Sequence, residues 1–576
     1  MDYKIKYKKW LDSPIIDEDT KEELRKIAGD EKEIEERFYR DLEFGTGGLR
    51  GIIGAGTNRV NKYTVGKATQ GLANYIIKQG EEAMSRGVAI AYDSRWMSPE
   101  FAEGVATVLN ANGIRAYLHG ELQPTPVLSF SVRELGTIAG VVITASHNPP
   151  EYNGYKVYWE DGAQVALERT NEIISEINRV KDFGQVKNMT REDALNEGLL
   201  NMIGEDILEK YNDLVVELSK NPKMVGDMAK DFKIVYTPLH GSGNKPVRRA
   251  LDAIGFRNVS IVPEQEHPDP DFSTVGYPNP EERRVFEMAI EMARKEGADI
   301  IIGTDPDCDR VGVVVKDTSG EYVILTGNQI GVLLTDYILK SMDQGNRLPD
   351  NGIIITTVVT SDMGKKVAES YGIENMETLT GFKFIGEKIK EFEESGQYTY
   401  LFGYEESNGY LAGDFVRDKD AVSASMLICE MGAYYKSKGI SLYEGLVELW
   451  DKHGYFYEDL KSLEFEGKEG MERISEIMEK LRNNPPRELA GNKVVTIDDY
   501  KTSESYDLIK ESISSIKLPV SDVLIYKMQD SSWFAIRPSG TEPKIKLYFS
   551  TVGKSLEESK ERMEKLSKAT TERVKQ

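Results

Sequence analysis

Between residues 88 and 146, short β-branched runs alternate with amphipathic stretches. "VAIAYDS" predicts a strand, "PEFAEGVATVLNANG" a helix stopped by Gly113, "IRAYLHG" a second strand and "TIAGVVITAS" another. The rhythm returns in "FKIVYTPLHGSG", "KPVRRALDAIG", "NVSIVPE", "EERRVFEMAIEMARKEG" and "ADIIIGT". It recurs from "NQIGVLLTDYILKSM" through "NGIIITTVVTS" to "YTYLFGYEES". Strands separated by helices of about 10–15 residues define βαβ layers with a mostly parallel sheet. Three such units predict an α/β protein of three similar domains with mixed, mostly parallel sheets.

The two ends read differently. "DEDTKEELRKIAGDEKEIEERFYRDLEFG" carries apolar residues at helical spacing, with Asp17 or Thr20 as the N-cap. Near the C-terminus "EGMERISEIMEKLRNNPP" and "SLEESKERMEKLSKATTERVKQ" are helical, while "SSWFAIRPSG" and "KIKLYFST" are strands. That pattern predicts a smaller C-terminal α+β domain. The expected domains are 1–203 (with a helical extension at its start), 204–319, 320–457 and 458–576.

Composition narrows the partners. At 576 residues, several hydrophobic cores are needed. A formal net charge of -23 argues against nucleic acid or an anionic membrane as partner. The two cysteines, Cys308 and Cys429, lack metal-binding spacing, and no signal peptide or apolar run of about 18 residues is found. A soluble, cytoplasmic protein is expected.

Four stretches carry chemistry. In "GTDPDCDRVGVVV", Asp305, Asp307 and Asp309 alternate after an apolar strand, and an extended turn puts all three carboxylates on one side for a hard divalent cation, Mg2+ by default. A calcium EF-hand fails, because Arg310 and Lys316 stand where Gly and Glu are required. The D-x-D-x-T/V pattern of aspartate-nucleophile phosphotransferases fits Asp307, Asp309 and Val311 in spacing and stays as the runner-up. In "RPSGTEPKIKLY", Arg537, Ser539, Gly540 and Thr541 offer a bidentate guanidinium, hydroxyls and backbone N–H groups to a phosphate. "FGYEESNGYLAGDFVRDKD" offers Glu405 and Ser407 to sugar hydroxyls, with Arg417 and Lys419 near in sequence. "EFGTGGLRGIIGAG" is a glycine-rich turn with Arg50. A nucleotide-hydrolysing P-loop is absent, since "GFKFIGEK" puts Glu387 in place of the lysine. A fifth stretch, "TASHNPPEYNG", places Ser146 and His147 on a bend after a strand.

In this combination and order, the stretches resemble the α-D-phosphohexomutase superfamily, closest to its bacterial phosphoglucomutase branch, over nearly the whole chain. "YKKWLD", "QPTPVLSF", "YTPLHGSG" and "DFVRDKDAV" add to the likeness. The resemblance implies four domains around a central cleft. It makes Ser146 the carrier of a transferable phosphoryl group and Asp305, Asp307 and Asp309 the ligands of one Mg2+ per chain, completed by the Ser146 phosphate. Glu405 and Ser407 would read the sugar, and the loop from Arg537 to Thr541 would grip the non-reacting phosphate. Arg50, Arg310 and His147 match positions beside the reacting centre, Lys383 a lysine proposed as general acid/base, and Arg417 and Lys419 match phosphate or sugar contacts.

The implied reaction interconverts glucose 1-phosphate and glucose 6-phosphate, with glucose 1,6-bisphosphate as intermediate and activator. Either His147 or Lys383 would move the sugar hydroxyl's proton. A phosphomannomutase, a phosphopentomutase and a metal-dependent sugar phosphatase are the alternatives. Cys308, where the family often has a small residue, is expected to turn away from the metal into packing.

Overall fold

The computed structural model describes residues 3–45, 47–465, 467–539 and 544–575. Its first sheet has six strands, in the order Gly48–Ile52, Tyr152–Trp159, Ala139–Ile143, Val88–Tyr92, Ala116–His119 and Leu200–Ile203. The last four are parallel, and Tyr152–Trp159 runs against both its neighbours. Period-two alternation sorts this sheet's two faces. Val88 and Ile90 pack with Val105 and Leu72 from the helices Ser98–Ala111 and Lys62–Gln79, whereas Ala89 and Ala91 pack under Leu128 and Val132 of the helix Thr125–Glu134.

The second sheet orders Tyr322–Leu325, Val311–Lys316, Ile300–Thr304, Ile234–Thr237 and Val259–Ile261, the last three parallel. The third orders Glu374–Thr378, Gly352–Thr357, Thr399–Glu405 and Gly409–Ala412, the first three parallel. One apolar core joins these two sheets, and Val127 and Phe130 of Thr125–Glu134 reach into it. The helix Ala421–Ser437 is buried without a break from Ala421 to Tyr435, as its position inside that core requires.

The fourth sheet is wholly antiparallel: Tyr455–Glu464, Lys544–Gly553, Trp533–Pro538, Leu524–Met528, Asn492–Asp499, Glu504–Asp507 and Ser512–Ser515, with Glu488–Leu489 paired beside Asn492–Asp499. Trp533 of this sheet donates its indole N–H to Asp362 at 2.9 Å, and its ring packs with Val358 and Leu379 of the third domain.

Several local expectations change. Asp17 caps the helix Glu18–Lys26, and Thr20 lies inside it, donating its backbone N–H to that aspartate. The supposed glycine-rich turn around Arg50 is the edge strand Gly48–Ile52, with Arg50 opposite Gly154. Tyr455–Glu464 pairs wholly with the C-terminal sheet, so that sheet takes in residues ahead of 458. Among the described residues no helix is long and apolar enough to cross a membrane.

Candidate active site

The strand Ala139–Ile143 is buried throughout and delivers the chain to Ser146, whose φ of 53° turns it sharply out of the extended region. The bend is held from both sides. Its N–H donates to Thr144 Oγ1 at 2.7 Å, and its carbonyl accepts from Arg95 at 2.6 Å. Arg95 also donates to the carbonyls of Asn148, Pro149 and Tyr152, so one buried guanidinium grips four carbonyls of the serine loop. Asp93, 3.3 Å from the Arg95 Nε, balances its charge, and the ring of Phe272 lies under it at 4.9 Å. Gly154 lets the neighbouring strand pass: a Cβ there would stand 2.5 Å from the Thr144 carbonyl.

The Ser146 hydroxyl donates to Asp305 Oδ2 at 2.8 Å and lies 3.1 Å from His147 Nδ1. Asp305, Asp307 and Asp309 are buried, with ligand oxygens within 4.8 Å of one another. A turn gathers them on one side. Cys308 donates its N–H back to the Asp305 carbonyl at 2.9 Å and takes a φ of 51°. Its side chain points away into the core beside Tyr236. Asp305 Oδ1 accepts the N–H groups of Asp309 and Arg310.

Two cations partly balance this cluster. Lys156 lies 2.8 Å from Asp307 and 3.6 Å from Asp309, and Lys419 lies 3.2 Å from Asp309. Burial drives the Asp305 carboxyl well up, reinforced by Asp307 and Asp309. Burial acts the same way on Asp307, but Lys156 outweighs it and holds that carboxyl low. Asp307 Oδ1 and Asp309 Oδ1 are buried without a hydrogen-bond partner. Oxygens this close, orphaned and anionic, are the donor set a hard divalent cation takes.

The flanking residues come from the first three domains. Burial, then Arg310 and Arg50, hold the His147 imidazole well below its usual range, and it is neutral near pH 7. Arg50 donates to Asn148 Oδ1 at 3.1 Å. Arg310 pairs with Glu281 at 2.9 Å. The carbonyl of Asn408, the residue after Ser407, accepts the Val311 N–H at 3.2 Å and ties the sugar-loop candidate to the metal turn. Glu405 is buried and accepts the Gly381 N–H at 2.8 Å, which brings the segment with Lys383 beside it. Burial lowers the Lys383 ammonium, with Glu387 opposing.

Arg417 departs from its expected place. It is fully buried and donates to Glu393 at 2.5 Å and to the Asp414 carbonyl, while its own N–H meets Ser129. Glu393 also pairs with Arg133 at 3.2 Å, so Arg417 belongs to a clamp between the first and third domains. Arg537 sits on the strand Trp533–Pro538 beside Tyr548, and the Ser539 N–H closes onto the Lys544 carbonyl at 2.8 Å. Gly540 and Thr541 lie outside the described residues.

Sequence reasoning missed four contributors: Arg95, Lys156, Thr125 and Lys546. Thr125 donates its hydroxyl and its N–H to Asp307. Lys546, opposite Arg537 in the fourth sheet, is lowered by burial and then by the charge of Arg310. "DSRWMS" and "QPTP" close strands of the first domain, and that position was the available signal for Arg95 and Thr125.

Such contacts are those of an enzyme that holds one serine hydroxyl against a cation-competent carboxylate cluster where its domains meet. The chain matches the phosphoglucomutase/phosphomannomutase family in four consecutive pieces, alpha/beta/alpha domain I at 41–183, domain II at 202–320, domain III at 326–453 and the C-terminal domain at 471–566. A relative named phosphoglucomutase from Staphylococcus haemolyticus is 39% identical over 517 residues, 90% of this chain and 91% of the relative. A putative phosphomannomutase from Thermus thermophilus shares the fold, with a TM-score of 0.68 at 20% identity over 93% of this chain and 100% of that one. The open form of parafusin from Paramecium has a TM-score of 0.67 at 19% identity over 92% of this chain and 94% of its own. The chain belongs to the phosphoglucomutase/phosphomannomutase family, in the α-D-phosphohexomutase superfamily.

Proposed function

We propose that this protein is a phosphoglucomutase, an intramolecular phosphotransferase that interconverts glucose 1-phosphate and glucose 6-phosphate. The observation that carries this reading is the 2.8 Å bond between Ser146 and Asp305, which sets a nucleophile against a carboxylate cluster with orphaned oxygens. The similarity to proteins named phosphoglucomutase supports the sugar.

In the proposed cycle Ser146 begins phosphorylated. The free sugar hydroxyl attacks phosphorus, its proton leaves to Lys383, and the P–O bond to Ser146 breaks, the serine oxygen leaving with a proton from His147, to give glucose 1,6-bisphosphate. The bisphosphate turns over in place. Ser146 Oγ then attacks the other phosphate, its proton passing to His147, and the sugar oxygen leaves with a proton returned by Lys383. His147 suits its part because it is neutral and 3.1 Å from the serine oxygen. Asp305, Asp307, Asp309 and an oxygen on Ser146 would hold one Mg2+ per chain, which when bound would supply positive charge to the transferring group. Added glucose 1,6-bisphosphate acts as activator by restoring the phosphorylated serine.

Glu405 and Ser407 read sugar hydroxyls, and Arg537, Ser539, Gly540, Thr541 and Lys546 hold the distal phosphate. Arg50, Arg310 and Lys419 supply positive charge near the reacting group. Arg417 takes no part in binding. Small-molecule sugar phosphates are the partners, and the cytoplasm, where these metabolites and reduced cysteines occur, is the proposed location. The test compares kcat/KM for glucose, mannose and ribose 1-phosphates with Mg2+ and a trace of glucose 1,6-bisphosphate. Preference for glucose 1-phosphate upholds the reading. Preference for mannose or ribose 1-phosphate overturns the sugar and keeps the chemistry, whereas release of inorganic phosphate at the turnover rate overturns the mutase.

A further inference from the structure

A cavity of about 320 Å3 opens between the helix Tyr3–Asp12 and residues 180–183. A second, of about 460 Å3, adjoins it and shares Asp41, Thr57, Lys67 and Phe183. That is the size range of small-molecule sites. Neither shares a residue with the serine–aspartate centre.

The walls are of two kinds. Trp10, Ile16 and Val180 are buried along the inner face, and Phe183 stands edge-on to Trp10 at 5.5 Å. Around them stand the ammonium groups of Lys6, Lys9, Lys67 and Lys181. Among the described residues two carboxylates line the first cavity, and Glu43 lines the second. Asp41 is taken by Lys6 at 2.8 Å, and Asp182 accepts the Gly184 N–H at 2.8 Å. Among the described residues Lys9 and Lys181 form no ion pair, while the Lys67 charge helps hold the Asp41 carboxyl low. On a chain of net charge -23, such a local excess of lysines runs against the overall field. Lysines in excess of the carboxylates beside them, above an aromatic and aliphatic pocket, match an anion with a flat apolar body.

We propose that this cavity is a nucleotide-binding site, with the lysines taking the phosphates and the inner wall around Trp10 and Phe183 taking the base. The site does not depend on which sugar the catalytic centre prefers. To separate the two sites, ADP is titrated calorimetrically into the full chain with Mg2+ and saturating glucose 1,6-bisphosphate. One ADP per chain is expected, and the double variant Lys9→Gln/Lys181→Gln should bind it about tenfold more weakly, as the loss of two exposed ion pairs predicts. Should that variant fold poorly, Lys67→Gln provides the same comparison with about a threefold loss. Absence of ADP binding, or equal affinity in the folded lysine variants, overturns the site. Pyrophosphate binding as tightly as ADP overturns the role of the base.

Discussion

Ser146 of the first domain donates its hydroxyl to Asp305 of the second at 2.8 Å, although 159 residues separate them. The contact joins the C-terminal ends of strands in two sheets, where open α/β sheets gather their ligands. A serine so placed is within reach of whatever cation the carboxylates hold. Replacing it with alanine removes the group that the proposed cycle phosphorylates, while its small, buried position leaves the fold intact. Ser146→Ala should lower mutase turnover more than about a thousandfold with an unchanged melting temperature. Coupled-enzyme kinetics beside a thermal melt checks this, and retained turnover contradicts it.

The carboxylate cluster makes a prediction that needs no turnover. Without a cation, Asp307 and Asp309 each keep an orphaned buried oxygen, and their charges destabilise the fold. Mg2+ at about 100 times its Kd should add about 2.7 kcal/mol of stability. Asp309→Asn removes one charged ligand and should abolish most of that shift. Calorimetric melts of both proteins with Mg2+ and with EDTA decide it.

Arg95 is a positioning residue. Its guanidinium fixes four carbonyls of the serine loop and is itself balanced by Asp93. Lysine keeps the charge and loses the fork, so Arg95→Lys should drop kcat by about 10–100-fold, with KM changed less than about threefold. Arg95→Met leaves Asp93 buried and unpaired and should cost about 3–5 kcal/mol of stability. Steady-state kinetics and denaturant melts separate the two effects.

What could be read from the sequence followed how local the chemistry is. The three aspartates stand within five residues, and Ser146 closes a strand whose apolar run is unmistakable, so both surface from the chain alone. Lys156 and Lys546 sit mid-strand like any solvated lysine, and only the fold brings the first to Asp307 and the second within reach of the Arg310 charge. The strand Gly48–Ile52 was hidden because its glycines read as a turn; they exist to let the adjacent strand approach, since a Cβ at Gly48 would stand 2.0 Å from the Tyr155 carbonyl. Arg417 and Lys419 look equivalent in "FVRDKD", yet the backbone sends one to Glu393 and the other to Asp309. No local pattern distinguishes them.

The joint between the third and fourth domains should respond to pH. Burial raises the Glu458 carboxyl to about 7 from an ordinary 4.5, with Asp362 adding to the rise and a hydrogen bond from Ser361 opposing it. Because the folded value is the higher one, the stability this group contributes is complete below pH 4.5 and is lost as pH climbs to about 7. Glu458→Gln keeps the contact and removes the titration. It should flatten the fall in stability across that interval by about 2–3 kcal/mol, measured by urea unfolding at pH 4.5 and 7.5.

The proposed cycle stands or falls on Ser146 carrying the transferable phosphoryl group. To see that group, the enzyme is incubated with Mg2+ and glucose 1-phosphate labelled in its phosphate, quenched with acid, and the labelled peptide mapped by mass spectrometry. Acid-stable label is expected on Ser146 and should be absent from Ser146→Ala. Label on Asp307 that hydroxylamine releases, or turnover with no label on the protein, contradicts the phosphoserine cycle.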